Sequence, residues 1–323
     1  MSAPDSPSSN ALRHPSFVFY WLSLWAAGFA VQIMSVSVGW QVYDITRDPL
    51  DLGLIGLVQF MPPLLLVLVT GLAADKFNRR GIMGLCLAVE AVCALGLVAF
   101  TLSHPTAVWP VFGILAVLGT ARAFLNPAAD ALAPNLLPRQ AIAHGISLNS
   151  MSWQIANILG PVAGGLLFGI SGEAAYGTAL GLIGLAVVMV VLIGRVPQPN
   201  HAEQTTLSTL FAGFSFIRKE KVVLGAISLD LFAVLLGGAV ALMPVYARDI
   251  LQVDSWGLGL LRAAPGIGAV AMALYLSKFG IKDRAGVILF LFVAAFGFFT
   301  VVFGLSIWLP LSIGALILMG RAT

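Results

Sequence analysis

Charge is scarce in this chain. Lys, Arg, Asp and Glu together make up 10% of its 323 residues, where soluble domains carry roughly 25%. Hydrophobic residues make up 59%, so there is too little polar surface to cover a water-facing exterior, and the outside must face lipid. The formal net charge of +3 is too small and too scattered for a nucleic-acid partner. Cysteine is nearly lacking. Cys86 and Cys93, the 2 present, share one helix face but lie too far apart along the axis to bond to each other. They read as small apolar fillers. His14, His104, His144 and His201 fall in four different segments, so no metal-ligand spacing exists and no cofactor is expected. No Walker-type phosphate loop occurs, which argues against an ATP-driven pump. No clustered nucleophile points to an enzyme. Residues 1–16 are polar and rich in Ser and Pro. They lack a basic start and a cleavage site, so they read as a disordered tail and not a signal peptide.

Long apolar runs dominate instead. They lie near 17–42, 53–74, 82–102, 108–128, 145–169 and 174–194, then, after a polar stretch at 195–221, near 222–246, 257–277, 285–305 and 308–323. At about 20 residues per crossing this predicts about ten membrane spans, the last still apolar where the sequence stops. The expected organisation is a tail at 1–16, an N-terminal six-helix bundle at 17–194, a cytoplasmic linker at 195–221 and an incomplete C-terminal bundle at 222–323. Within the linker, Leu207, Leu210, Phe214 and Ile217 fall at helical intervals, followed by Arg218, Lys219 and Lys221. This suits a short helix at the membrane surface, or else a plain linker.

Basic residues set the orientation. Lys76, Arg79 and Arg80, then Arg139, then Arg195, Arg218, Lys219 and Lys221, then Lys278, Lys282 and Arg284 occupy alternate connections, while the other set holds only Arg47 and Arg248. Positive residues stay inside, so the N-terminus is expected in the cytoplasm and the protein in the inner membrane. The two sides of the linker also repeat each other. Val42-Tyr43 matches Val245-Tyr246, Gly56-Leu57 with Pro62 matches Gly259-Leu260 with Pro265, and Trp109 with Arg122 matches Trp308 with Arg321. Halves that recur about 200 residues later in parallel orientation indicate two bundles around a central cavity.

Charges inside lipid cost roughly 2.5–3.5 kcal/mol on insertion scales and mark pathways by default. Here they are Glu90, Arg122, Asp230 and Arg262, on the third, fourth, seventh and eighth spans. Glu90 and Arg122 lie at similar depth and could pair. Gln59 takes the place of Arg262 in the first half. Gly28, Gln32, Ser35 and Gly39 form a small polar stripe on the first span, and Asn149, Trp153, Asn157, Gly160 and Gly164 form another on the fifth. Gly257, Gly259, Gly266 and Gly268 sit in an apolar run and read as packing glycines.

Three motifs carry a family resemblance. Gly71 through Arg80, with Gly71, Asp75, Lys76, Arg79 and Arg80 in the diagnostic places, resembles the signature loop of the major facilitator superfamily. Asn78 stands where the pattern has its inner glycine, and the left-handed backbone that Asn tolerates would keep the turn. Ala156 through Gly165, ending Gly160-Pro161-Val162-Ala163-Gly164-Gly165, is similar to the fifth-helix motif of the family's antiporters, with Ala156 for its first glycine. Arg122 falls at the family's buried-arginine position. Its surroundings, Ala121 to Phe124 and Asn126-Pro127-Ala128, resemble the enterobactin-exporter-like and macrolide-efflux-like branch.

The resemblance implies an all-α membrane protein of two parallel six-helix bundles, the second incomplete here. It implies a latch made by the signature loop, with Gly71 allowing a close helix approach and Asp75 facing a later helix. It also places Asp230 and Arg262 on cavity-lining spans, as a proton-coupling pair or a fixed structural one. Pro161 is expected to bend the fifth helix. The expected activity is export of a small amphipathic molecule, siderophore or drug-like, by alternating access with proton antiport. Uptake by a symporter of the same superfamily is the alternative, and a non-transporting membrane protein a further one. The partners are then a small-molecule substrate, protons and the bilayer. Matching Trp109 to Trp308 leaves the last two helices of the second bundle without counterparts, so a longer parent protein of about 400 residues is expected, since a chain ending at membrane depth exposes unsatisfied polar groups. Orientation is directly testable: a cysteine at Asp51 or Asp254 should react with an impermeant reagent from outside and one at Lys219 from inside, and reversed labelling would contradict the topology.

Overall fold

The structure is a computed structural model, and it describes residues 10–194, 224–225, 228, 241–279 and 285–322. Nine α-helices of 12 residues or more organise these residues: α1 (Pro15–Thr46), α2 (Pro49–Lys76), α3 (Arg79–Leu102), α4 (Trp109–Leu132), α5 (Ile142–Ile170), α6 (Gly172–Leu192), α7 (Ser255–Phe279), α8 (Ala285–Leu305) and α9 (Leu309–Gly320). The first six are the expected first six spans, each lengthened at one or both ends. The last three are the expected eighth to tenth. A short helical segment, Met243–Ile250, precedes α7. The interfacial helix expected in 195–221 and most of the seventh span lie outside the described residues. Among the described residues, 8 helices are long and apolar enough to cross a membrane.

Local chemistry sets the ends. Pro stands in the first turn of α1, α2, α4 and α9, where its missing N–H costs nothing. Asp48, Asn78 and Ser171 cap α2, α3 and α6 with their side-chain oxygens, each satisfying an orphan backbone donor. The signature-loop turn differs from expectation here. Asn78 is extended, at φ −63° and ψ 109°, and its side chain accepts from the Gly81 N–H. It holds the turn as a helix cap and not through a left-handed backbone. Left-handed positions fall elsewhere, at Arg47 between α1 and α2 (φ 54°), at His104 (φ 46°) and at Gln252 (φ 51°). Ala11–Arg13 forms a helical turn that leads into α1. Ala11 is buried and its N–H donates to His144 Nδ1 at 3.0 Å, so residues 10–16 are packed on the bundle and are not the disordered tail expected there.

Packing follows the rule for helices in lipid, where side chains gain little by leaving the solvent and close contact decides. Large apolar residues such as Leu65, Val92, Phe290 and Leu291 point outward and are exposed. The interior is rich in Ala, Ser and Gly. α1 packs on α5 and α6, α4 on α2 and α3, and α7 on α5 and α9. The α5–α7 contact joins the two halves, and glycine makes it. A Cβ at Gly259 would stand 2.5 Å from the Pro161 carbonyl oxygen, and one at Gly266 would stand 2.7 Å from Ile158. A Cβ at Gly165 would collide with the Ser255 carbonyl, while the Ser255 hydroxyl donates to the Gly165 carbonyl at 2.8 Å. On the other side, Gly160 and Gly164 abut Gln32 and Ile33 of α1. α5 runs as one helix through Pro161. The packing role expected for the α7 glycines is therefore what the geometry gives.

Gly259→Val should cost about 1–3 kcal/mol or more, as overpacking does, read as a lower melting temperature in detergent. Gly177→Val, in α6 with nothing within 4 Å of its added carbon, should leave the melt unchanged; an unchanged melt for Gly259→Val would contradict the packing described.

Candidate functional site

Two cavities flank α1 and meet at Ser35. The first, of about 320 Å³, lies between α1, α2 and α4, with Gln59, Phe60, Gly119 and Arg122 in its wall. α2 and α4 are held close there, since a Cβ at Gly119 would stand 2.7 Å from the Gln59 carbonyl. The second, of about 530 Å³, lies between α1, α5 and α7, and Gln32, Asn157, Pro161 and Arg262 line it. Both volumes fall in the range that holds small organic ligands. The polar stripe of α1 faces this region. Gln32 and Ser35 line the cavities, while Gly28 packs on Ala156 and Gly39 lies against Arg262 and Pro244.

The intramembrane charges separate into two kinds. Arg122 pairs with Glu90, Nε to Oε1 at 3.3 Å, and Glu90 is wholly buried between α3 and α4 while Arg122 keeps 24% of its side chain exposed. Arg262 donates from Nη1 to the Ser35 hydroxyl at 2.8 Å. Asp230, its expected partner, lies outside the described residues. Gln32 and Asn157 hydrogen-bond to each other across the α1–α5 contact. Asn149, on the same α5 stripe, donates to the Tyr20 hydroxyl at 3.3 Å, and that hydroxyl donates to the Ala129 carbonyl at 3.0 Å. Trp153 departs from the stripe's packing and is 56% exposed.

At one end of the bundle the signature-loop arginines tie helix ends together. Arg79 donates to the carbonyls of Ala74 and Ala131 at 3.1 and 3.0 Å. Arg80 donates to those of Val190 and Val191 at 3.0 and 2.7 Å. These are last-turn carbonyls of α2, α4 and α6, which cations cap well. Lys76 lies 5.9 Å from the Phe77 ring centre. The Asp75 side chain lies outside the described set. Gly71 does not allow a close helix approach as expected: a Cβ there would meet nothing within 4 Å.

The opposite end carries a charge cluster that sequence reasoning missed. Asp44 pairs with Arg248, and the Tyr43 hydroxyl donates to Asp249. Arg47 stands 3.7 Å from Asp44 and 3.6 Å from Asp249. The Arg248 guanidinium lies 5.3 Å from the Trp40 ring centre. The cluster thus bridges the end of α1 to the segment before α7, one half to the other. Its signal was the Val42-Tyr43 and Val245-Tyr246 repeat, which sets these two segments at equivalent places.

A family model described as a transmembrane secretion effector matches residues 6–322. The chain belongs to this family of major facilitator transporters. It is 25% identical over 285 residues to the enterobactin exporter EntS of Shigella boydii serotype 18, covering 86% of this chain and 67% of the exporter. The enterobactin exporter EntS of Escherichia coli O139:H28 matches to the same extent. Among solved structures, the fold is similar to that of a bacterial homologue of the human lysosomal transporter Spinster, inward-facing and unoccupied. The TM-score is 0.71 at 17% identity, covering 98% of this chain and 73% of that one. It is also similar to the nucleoside transporter NupG, with a TM-score of 0.65 at 15% identity, covering 96% of this chain and 79% of that one. The major facilitator fold, the multi-span membrane location and the transporter class expected from the motifs therefore hold, and the family is one of transporters and not of enzymes.

The Glu90–Arg122 pair is the best-defined charge pair of the site. Glu90→Gln should destabilise the protein by about 3–5 kcal/mol, because it strands a charge in a low-dielectric interior. Glu90→Gln with Arg122→Gln should recover most of that loss in a detergent unfolding measurement. A double variant as unstable as the single one would contradict the pairing.

Proposed function

We propose that the protein exports a small amphipathic molecule by alternating access, driven by proton antiport. The observation that carries this is the pair of cavities at Ser35, the second of them walled by helices of both halves, together with the cross-half charge cluster at the Asp44 end. The similarity to enterobactin exporters supports the direction of transport. Rocking of one bundle against the other about the tight α5–α7 joint would open the cavities to each face in turn. Of the fifth-helix motif, Gly165 would keep that joint free of leaks, and Gly160 and Gly164 would do the same for the α1–α5 contact. The signature loop, through Asp75, Lys76, Arg79 and Arg80, would steady the cytoplasmic end. The segment 195–221 would link the bundles on that side, with the N-terminus in the cytoplasm.

Coupling would reside in Asp230 and Arg262. A carboxylate on a cavity-lining span can hold a facing arginine when charged and release it on taking a proton, leaving the arginine open to another anion, and that exchange is what a proton gradient can drive. Glu90 and Arg122 would form the fixed pair beside it. Efflux from vesicles with an imposed pH gradient, over a small panel of siderophores and drugs, tests this. At least one compound should move against the proton flux, and Asp230→Asn should abolish gradient-driven movement while leaving binding partly intact. Accumulation along the proton flux would favour uptake instead. Wild-type efflux by the Asp230→Asn protein would remove Asp230 from the coupling step.

A further inference from the structure

The two arginines beside Ser35 differ in what balances them. Arg122 has Glu90 at 3.3 Å. Arg262 has no ion pair among the described residues. Its Nη1 bonds to the neutral hydroxyl of Ser35 at 2.8 Å, and its Nε is buried without an acceptor. The cavity it faces holds amides, a hydroxyl and small apolar surfaces such as Pro265 and Ala269, and no carboxylate among its described lining. The Gln32 and Asn157 amides are engaged with each other, so the guanidinium is the strongest hydrogen-bond donor left facing the space. A bare cation at this depth is costly. It is retained most readily where a ligand supplies the missing anion. Guanidinium is also the side chain whose forked N–H donors match the two oxygens of a carboxylate.

We infer that the cavity between α1, α5 and α7 takes an amphipathic organic anion, whose acidic group docks on Arg262 beside Ser35 while its apolar body lies against Pro161, Pro265 and Ala269. That the anion is also transported rests on the export reading above; that it binds does not. The volume of about 530 Å³ accommodates a ligand of ordinary metabolite size. Arg262 is then the specificity-determining residue, and Arg122, neutralised by Glu90, shapes the neighbouring wall without selecting charge.

The test needs no knowledge of the natural substrate. Ala269→Cys places a thiol in the cavity wall of the purified protein in lipid nanodiscs. Its reaction rates with anionic sulfonatoethyl and cationic trimethylammonioethyl methanethiosulfonate are compared, with labels located by peptide mass because Cys86 and Cys93 are buried. A cationic cleft concentrates counter-ions by about tenfold or more. The anionic-to-cationic rate ratio should therefore fall by about tenfold when Arg262→Gln is added, and persist with Arg262→Lys. The probe 2-naphthoate should protect the thiol, its neutral amide should not, and protection should vanish with Arg262→Gln. Equal ratios with and without Arg262 would mean that the chain itself, through Asp230 or another group, already neutralises the arginine, and would overturn the inference. Equal protection by acid and amide would also overturn it. If the Arg262→Gln protein fails to fold, the acid-against-amide comparison in the Ala269→Cys protein decides alone. A protein that binds 2-naphthoate through Arg262 but moves nothing across a membrane would keep this inference and lose the export reading.

Discussion

In the middle of a bilayer no water competes for a hydrogen bond, and a polar group must find its partner within the protein. The interior of this bundle is arranged around that constraint. Ser37, Thr46, Thr101, Thr120, Ser152 and Thr300 return their hydroxyl protons to carbonyls one turn back on their own helices. Gln41 is held by Thr101 and Tyr176. Glu90 survives at full burial because Arg122 is beside it. Groups satisfied in this way hold the bundle rigid. The polar side chains turned toward the Ser35 cavities are the ones positioned to meet a ligand, and Arg262 has no ion pair there among the described residues.

The two halves are joined unequally along the membrane normal. Midway, α5 and α7 touch backbone to backbone through Gly165, Gly259 and Gly266, a contact of many small van der Waals terms that tolerates no added carbon. At the end of α1, the connection is a handful of partly exposed charges around Asp44, Arg47, Arg248 and Asp249. Partly exposed ion pairs are individually weak, about 0–1 kcal/mol each. A stiff centre with a weak tie at one end is the arrangement that the proposed rocking would need. Arg47 adds to this, since it spends a strained left-handed backbone to turn the chain while its side chain reaches across to Asp249.

Much of this was legible in the sequence because lipid simplifies the code. Long apolar runs fix the spans, and with so few charges in them, Glu90 and Arg122 at matching depth had few other partners to choose. The small-residue motif on the fifth span pointed to close packing, and the glycines at 257–268 completed it. What was not legible depended on context. Asn78 serves equally well in a left-handed turn or as a helix cap, and its residue type does not distinguish the two; the following helix start at Arg79 did. Gly71 matches a motif whose glycine needs a close neighbour, yet it faces open space here. The Tyr43–Asp249 and Asp44–Arg248 contacts join residues about 200 positions apart, beyond any local periodicity. Gln32 with Asn157 was hidden likewise, although both residues stood out as polar stripes on their own helices.

The central proposal is that the cavities at Ser35 open to each face in turn as the charge cluster around Asp44 breaks and reforms. Spin labels at Asp48 and Gln252, one on each side of the charge cluster in the two halves, measure that opening directly in nanodiscs by pulsed dipolar spectroscopy. Two distance populations are expected, the shorter one depleted by Asp44→Asn with Arg248→Gln and the longer one depleted when the native charges are present. A single distance, unmoved by removing these charges and by an imposed proton gradient, would contradict the account.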